Sequence, residues 1–152
     1  MSHIRPAGSN DVSRIAEILV FVKRMNYRDI FREDHFSFNV LQVLSVAQAY
    51  IDNPSLLAPV WVYDDGIVKG MLHVEEGEIC ELYVDHFFQG EGIGAQLIEF
   101  AVRDQAARRL WVLEKNARAI AFYRRHGFTF SGVRRLNPGT PEYIAEMTFV
   151  KE

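Results

Sequence analysis

The alternation of hydrophobic and polar positions divides the chain into short strands and amphipathic helices. Apolar residues recur at helical spacing over 12–22, 39–51 and 93–102, whereas runs with a period of two predict strands. The dipeptide Asp65-Gly66 lies between two such runs and predicts a hairpin turn. Segment 25–38 is mixed and aromatic, and we predict a loop there. The predicted order of elements is βααβββαβαββ.

The stretch from 78 to 101 is the most informative part of this pattern. An alternating apolar run predicts a strand that ends near Val84, and the helical spacing that follows begins at Ile93. Gly90 and Gly92 lie between them, and Gly94 directly follows Ile93. Glycine allows positive φ and a close approach to the main chain, so several N–H groups can converge at the start of the helix. This arrangement predicts an anion cradle, with phosphate as the expected anion.

Three kinds of phosphate loop must be distinguished. A Walker loop is excluded because the chain contains no G-x-x-x-x-G-K-[ST]. Gly90-x-Gly92-x-x-Ala95 fits a dinucleotide fingerprint, and Glu114 stands about where a ribose-binding acid belongs. However, a long loop separates Val84 from the first glycine, and too few residues follow Ala95 for repeated βαβ units. The third interpretation rests on Gln89-x-x-Gly92-x-Gly94.

That third pattern resembles the pyrophosphate-binding signature of the GNAT superfamily of N-acetyltransferases. A second stretch, Asn116-x-x-Ala119-x-x-Phe122-Tyr123-x-x-x-Gly127-Phe128, resembles the next motif of that family and follows a predicted strand at 110–113. The resemblance covers about residues 78–133. It implies an α+β fold with a mostly antiparallel central sheet flanked by helices, as a single domain over 1–152. It also implies direct transfer of the acetyl group of acetyl-CoA to a primary amine in a ternary complex.

The resemblance also implies site residues. Tyr123 matches the tyrosine that protonates the departing thiolate, and a phenol, which titrates near 10, is protonated at neutral pH. Main-chain N–H groups around Val84 would hold the thioester carbonyl, and Asn116 would contact the cofactor or an ordered water. The implied acetyl-CoA contacts are Leu82, Tyr83, Val84, Gln89, Gly90, Glu91, Gly92, Ile93, Gly94, Ala95, Asn116, Ala119, Phe122 and Tyr123.

A carboxylate on the central strand is the first candidate for general base. Glu81 shares its side of the strand with Ile79 and Tyr83, and a charge there is costly unless it has a function or a partner. Glu78 is the alternative base, and a partnered structural carboxylate is the alternative interpretation of Glu81. Cys80 is expected to be a buried small hydrophobe, not a nucleophile.

The acceptor site is the least defined by the sequence. In a GNAT-like fold the first two helices line it, which makes Tyr27, Phe31, His35 and Phe36 candidate acceptor contacts; core packing of a helix hairpin is the competing explanation. The five histidines show no metal-ligand spacing, so we predict no metal.

Charge and composition narrow the class of partner. Residues 1–85 carry 7 basic and 13 acidic side chains, whereas residues 86–152 carry 10 and 7. A basic half suits a phosphate-rich cosubstrate, and an acidic half suits a cationic amine or peptide and argues against nucleic acid. A single cysteine and the lack of a long apolar run predict a cytoplasmic protein without a membrane segment, with a homodimer as an option.

Two other functions stay open at this point. An acyl-CoA sensor without turnover would keep the glycine loop and would need neither Glu81 nor Tyr123. A nucleotide-binding oxidoreductase is the more distant alternative.

Overall fold

The structure is a computed structural model that describes residues 3–31 and 43–150. Its α-helices are α1 (Val12–Phe31), α2 (Val43–Asp52), α3 (Ile93–Asp104) and α4 (Ala117–Arg125). Its strands are β1 (Ile4–Pro6), β2 (Val60–Asp64), β3 (Val68–Glu75), β4 (Glu78–Val84), β5 (Arg109–Leu113), β6 (Phe128–Leu136) and β7 (Tyr143–Phe149). The predicted order βααβββαβαββ is confirmed.

The strands belong to one mixed sheet of seven strands in the order β1-β2-β3-β4-β5-β7-β6. β4 and β5 are parallel, with Glu78 opposite Arg109 and Ile79 opposite Leu110. The β1–β2, β2–β3, β5–β7 and β6–β7 pairs are antiparallel. The α+β class with a mostly antiparallel sheet is therefore confirmed.

The chain divides into two compact units. The first comprises the described residues up to 73 together with 81–97, and the second comprises 74–80 and 98–150. In the first unit the predicted apolar stripe of α1 is buried against β2 and β3. The stripe consists of Val12, Ile15, Ile18, Leu19 and Val22, and its partners include Val60, Val62 and Met71. That residues 1–152 form a single domain stays a prediction.

The second unit has its own buried side chains, and the main chain at Gly127 packs closely against one of its rings. Leu110, Phe128 and Met147 are at most 1% exposed. Gly127 follows α4 with φ +93°, and a Cβ there would lie 2.8 Å from the ring of Phe149. Gly127 thus ends the helix in a left-handed conformation, which favours glycine, and the close approach gives a second reason for glycine.

The first helix is longer than the sequence pattern indicated. Residues 25–31, assigned to a loop, continue α1 to Phe31. The apolar stripe weakens there, but the chain contains no proline or glycine between Asn10 and Phe31, so no helix-breaking residue interrupts α1 over this range. Although α1 has 20 residues, no helix within 3–31 or 43–150 is long and apolar enough to cross a membrane.

Candidate active site

The loop after β4 is held by hydrogen bonds at both of its ends. Asp85 N–H donates to the main-chain oxygen of Lys69 at 2.8 Å, and Phe87 N–H donates to the Asp85 carboxylate at 2.9 Å. The side-chain amide of Gln89 reaches back and donates to the Val84 oxygen at 3.2 Å. These bonds fix the path from the end of β4 to the glycines.

The glycine loop has the backbone conformation that an anion cradle requires. Gly90 and Gly92 have φ of +84° and +80°, and a Cβ at either position would meet no protein atom within 4 Å. α3 begins directly afterwards at Ile93, so its first N–H groups face the loop. Main chain with open space beside it and a helix start behind it fits a pyrophosphate group. Gly94 lies within α3, unlike the other two glycines.

Gly70 on β3 sets how closely α3 approaches the sheet. A Cβ at Gly70 would lie 3.0 Å from Leu97 Cδ1, 3.2 Å from the Tyr83 oxygen and 3.3 Å from Ile93 Cγ2. These atoms belong to the first turns of α3 and to β4. A side chain at position 70 would therefore push the start of α3 away from the strand that precedes the loop.

Arg14 of α1 ties the same loop to the core of the first unit. Its guanidinium donates to the Asp85 carboxylate through Nη2 and to the Val68 main-chain oxygen through Nε, the latter at 2.8 Å. Burial of the Asp85 carboxyl favours its neutral form, but the Phe87 N–H and the Arg14 guanidinium outweigh this and lower the pKa of Asp85 below its usual value.

Arg14→Met should cost about 1–3 kcal/mol of unfolding free energy at neutral pH, because it leaves a half-buried carboxylate without its cation. A carboxyl whose folded pKa is lowered stabilises the fold above its unfolded pKa near 3.9, and it loses this contribution as pH falls further. The gap between wild type and variant should therefore shrink below about pH 4. Denaturant titrations at several pH values give the unfolding free energy of each variant, and a double-mutant cycle with Asp85→Asn gives the coupling energy between Arg14 and Asp85. A coupling energy near zero would contradict a stabilising ion pair between Arg14 and Asp85.

Glu81 has a partner in the structure. Its Oε1 lies 3.2 Å from Lys23 Nζ, and both side chains are 19% exposed. The Lys23 ammonium also lies over the Tyr83 ring, 6.0 Å from its centroid. Burial, and then the negative charge of Glu81, raise the pKa of Tyr50. The site thus combines a carboxylate, an aromatic face and a primary ammonium.

In the second unit, α4 carries the residues of the second motif. The Asn116 side chain caps the helix, since its Oδ1 accepts a hydrogen bond from Ala119 N–H at 3.2 Å. Tyr123 is half-buried, with its ring 5.3 Å from that of Phe122 and 6.0 Å from that of Phe128. The motif residues therefore cap α4 and pack against the ring of Tyr123.

Comparison with known proteins bears on the family and the fold of the chain. A model of the acetyltransferase (GNAT) domain matches residues 57–130. The solution structure of apo-form YjaB from Escherichia coli has a TM-score of 0.76 at 21% identity, covering 98% of this chain and 97% of that chain. Residues 57–130 of the chain therefore belong to the GNAT superfamily.

Two further similar proteins are informative. The structure of yncA, a putative acetyltransferase from Salmonella typhimurium with its cofactor acetyl-CoA, has a TM-score of 0.62 at 19% identity, covering 96% of this chain and 91% of that chain. The peptidyl-lysine N-acetyltransferase YjaB from Salmonella typhimurium is 31% identical over 77 residues, which is 49% of this chain and 53% of that protein. The chain covers only 26% to 53% of the curated relatives that it matches.

The residues that the sequence predicts for the site fall into two groups in the structure. The residues at the end of β4, the glycine loop and the start of α3 lie together in the first unit, and so does Glu81. The residues of the second motif lie together on α4 in the second unit. Tyr27 and Phe31 fall in the last turns of α1, whereas His35 and Phe36 lie outside the described residues.

The prediction that Cys80 is buried is wrong. Cys80 is exposed, its Sγ lies 3.8 Å from the Glu78 main-chain oxygen, and Ile79 is the buried neighbour at 4% exposure. Successive residues of a strand point to opposite faces, and both faces of β4 carry apolar residues, so the alternation alone does not tell which face is covered at its start.

Sequence reasoning missed three basic residues near the candidate site in the first unit, Lys23, Arg14 and Lys69. Lys23 follows Leu19 by one helical turn on the buried stripe, and a lysine there is a signal that an acidic partner exists. Lys69 pairs with Asp65 at 3.0 Å and lies 4.5 Å from the centroid of the Phe88 ring. The hydrogen bond to Asp65, and more weakly the charge of Glu91, raise the pKa of Lys69.

Proposed function

We propose that the protein is an acetyl-CoA-dependent N-acetyltransferase that acts by direct transfer to a primary amine in a ternary complex. The observation that carries the proposal is the glycine loop, in which Gly90 and Gly92 leave open space beside the main chain at the start of α3. The matched GNAT domain and a neighbour solved with acetyl-CoA support the same cosubstrate.

The proposed roles follow from the chemistry of thioester aminolysis. The amine must be neutral when it attacks, and Glu81 takes its proton directly or through water. Main-chain N–H groups near Val84 polarise the carbonyl, and Tyr123 protonates the departing thiolate. Acetyl-CoA would be bound by the residues of the glycine loop and by those of the second motif.

Two observations favour a lysine-like acceptor. The Salmonella typhimurium YjaB is described as a peptidyl-lysine N-acetyltransferase. In this chain the carboxylate of Glu81 and the ring of Tyr83 already bind a lysine ammonium, that of Lys23. A carboxylate beside an aromatic face is a general recognition pattern for primary ammonium groups.

Gly92→Ala should weaken acetyl-CoA binding by at least about tenfold while the protein stays folded, because the Cβ fills the space in which phosphate would approach the main chain. Gly66→Ala is the matched control, since Gly66 also has a positive φ, +122°, and a Cβ there would meet no protein atom within 4 Å. Alanine at position 66 is also strained by a positive φ, and the Gly66→Ala variant should bind acetyl-CoA normally. Calorimetry with acetyl-CoA measures both variants.

The same titrations test the alternatives. Binding of NADH without binding of acetyl-CoA would overturn the proposed function in favour of the oxidoreductase. Turnover is followed as release of free CoA thiol across lysine peptides, polyamines, amino acids and aminoglycosides. Tight acetyl-CoA binding with no CoA release from any acceptor would favour the acyl-CoA sensor.

A further inference from the structure

The ion pair between Lys23 and Glu81 places an internal primary amine on the candidate general base. Lys23 projects from α1, and its Nζ lies 3.2 Å from Glu81 Oε1 with each side chain 19% exposed. The ammonium lies over the ring of Tyr83, which shares the Glu81 side of β4. A lysine side chain is thus held where the proposed mechanism requires the acceptor nitrogen.

Ion pairing alone does not make Lys23 special. Lys69 pairs with Asp65 at 3.0 Å, and Lys115 pairs with Glu142 at 2.8 Å. Neither of those carboxylates lies on β4, and Lys115 is 64% exposed at its side chain. Among these three lysines, Lys23 is the one whose amine lies against the carboxylate of the proposed chemistry.

We propose that Lys23 is an acetylation site of the protein's own activity, an inference that rests on the proposed function. Glu81 takes one proton from the Lys23 ammonium, and the neutral Nζ attacks the carbonyl carbon of acetyl-CoA. The new C–N bond forms and the C–S bond breaks; the nitrogen loses its second proton and the CoA thiolate gains one. The products are Nε-acetyl-Lys23, CoA thiol and one proton released to solvent.

Acetylation at this position changes the site that performs it. An acetylated Lys23 carries no charge, so its ion pair with Glu81 is lost and the carboxylate becomes available to an external ammonium. The reaction occurs once per chain and is first order in protein, because the acceptor belongs to the same molecule. Self-acetylation would therefore convert a site occupied by Lys23 into one open to other amines.

The experiment uses the full chain and trideuteroacetyl-CoA, with the label located by peptide mass spectrometry. The label distinguishes new acetyl groups from any that the purified protein already carries. We expect deuterated acetyl at Lys23 to exceed that at Lys69 and Lys115 by at least about tenfold, with a rate constant independent of protein concentration. Acetyl phosphate, a donor that needs no glycine loop, should instead label the exposed Lys115 more than Lys23.

Variants separate this inference from the proposed function. Glu81→Gln should lower the rate of labelling at Lys23 by about 10²-fold, which is the lower range for acid–base assistance. Gly92→Ala should lower the rate of labelling at Lys23 in proportion to its loss of acetyl-CoA affinity. Lys23→Arg keeps a cation beside Glu81 and should show no label at position 23. Equal labelling of the three lysines, in a protein that binds acetyl-CoA and acetylates an external amine, would overturn this inference and leave the proposed function intact. Absence of acetyl-CoA binding would overturn the proposed function and this inference with it.

Discussion

Glu81→Gln should lower kcat for amine acetylation by about 10²-fold or more at pH 7, and part of the loss should be recovered as pH rises. The amide is close in size to the carboxylate but cannot take a proton from an ammonium acceptor. At higher pH a larger fraction of the acceptor is already neutral, so the missing base matters less. The measurement is the pH dependence of kcat with a saturating acceptor from the amine panel.

Glu78→Gln is the matched control and decides between the two carboxylates of β4. Glu78 lies at the start of the strand, with Oε1 3.5 Å from Arg109 Nε. Its amide variant should retain most of the activity and show no rescue at high pH. If Glu78→Gln lowered kcat and Glu81→Gln did not, Glu81 would be a structural partner of Lys23 and Glu78 would be the base.

Tyr123→Phe should lower kcat by about 10²-fold and leave acetyl-CoA affinity within a few-fold, because the change removes only the hydroxyl that would protonate the thiolate. The ring contacts with Phe122 and Phe128 do not involve that hydroxyl and should persist. Raising the pH should not rescue this variant. Single-turnover kinetics, in which chemistry rather than product release limits the rate, provide the measurement.

Tyr143→Phe makes the same chemical change in the same unit. The Tyr143 ring packs under the Arg134 guanidinium, 3.8 Å from it, at the start of β7. We expect near wild-type kcat for this control. A Tyr123→Phe enzyme with full single-turnover rate would remove the tyrosine from the mechanism and leave solvent as the proton source.

The order of elements could be predicted because several boundaries carry a local chemical signal, although the end of α1 does not. Gly127 takes the left-handed conformation after α4, and Asn116 caps the start of that helix. Asp65-Gly66 joins β2 and β3, with Gly66 N–H donating to the Asp64 carboxylate at 2.9 Å. Such signals act within a few residues, so a single sequence reveals them.

The partners of the site residues could not be predicted, because they come from distant parts of the chain. Glu81 meets Lys23 across 58 positions, and Asp85 meets Arg14 across 71. Because a charge on a buried strand is costly, the sequence predicted that Glu81 needs a function or a partner. It did not predict which lysine or arginine that partner would be. The exposure of Cys80 was missed for a related reason, since the alternation of a strand does not tell which of two apolar faces is covered.

The contacts that hold the glycine loop also bear on the entropy of binding. Fixing the backbone of one residue costs about 1–2 kcal/mol, so a loop that became ordered only around its ligand would lose several kcal/mol of affinity. Here Gln89 is bonded to Val84, Asp85 to Lys69 and Arg14, and Gly70 lets α3 pack against β3. All of these contacts are made between groups of the chain itself. Association with a pyrophosphate should therefore be set by diffusion and charge, without a slow step of loop closure.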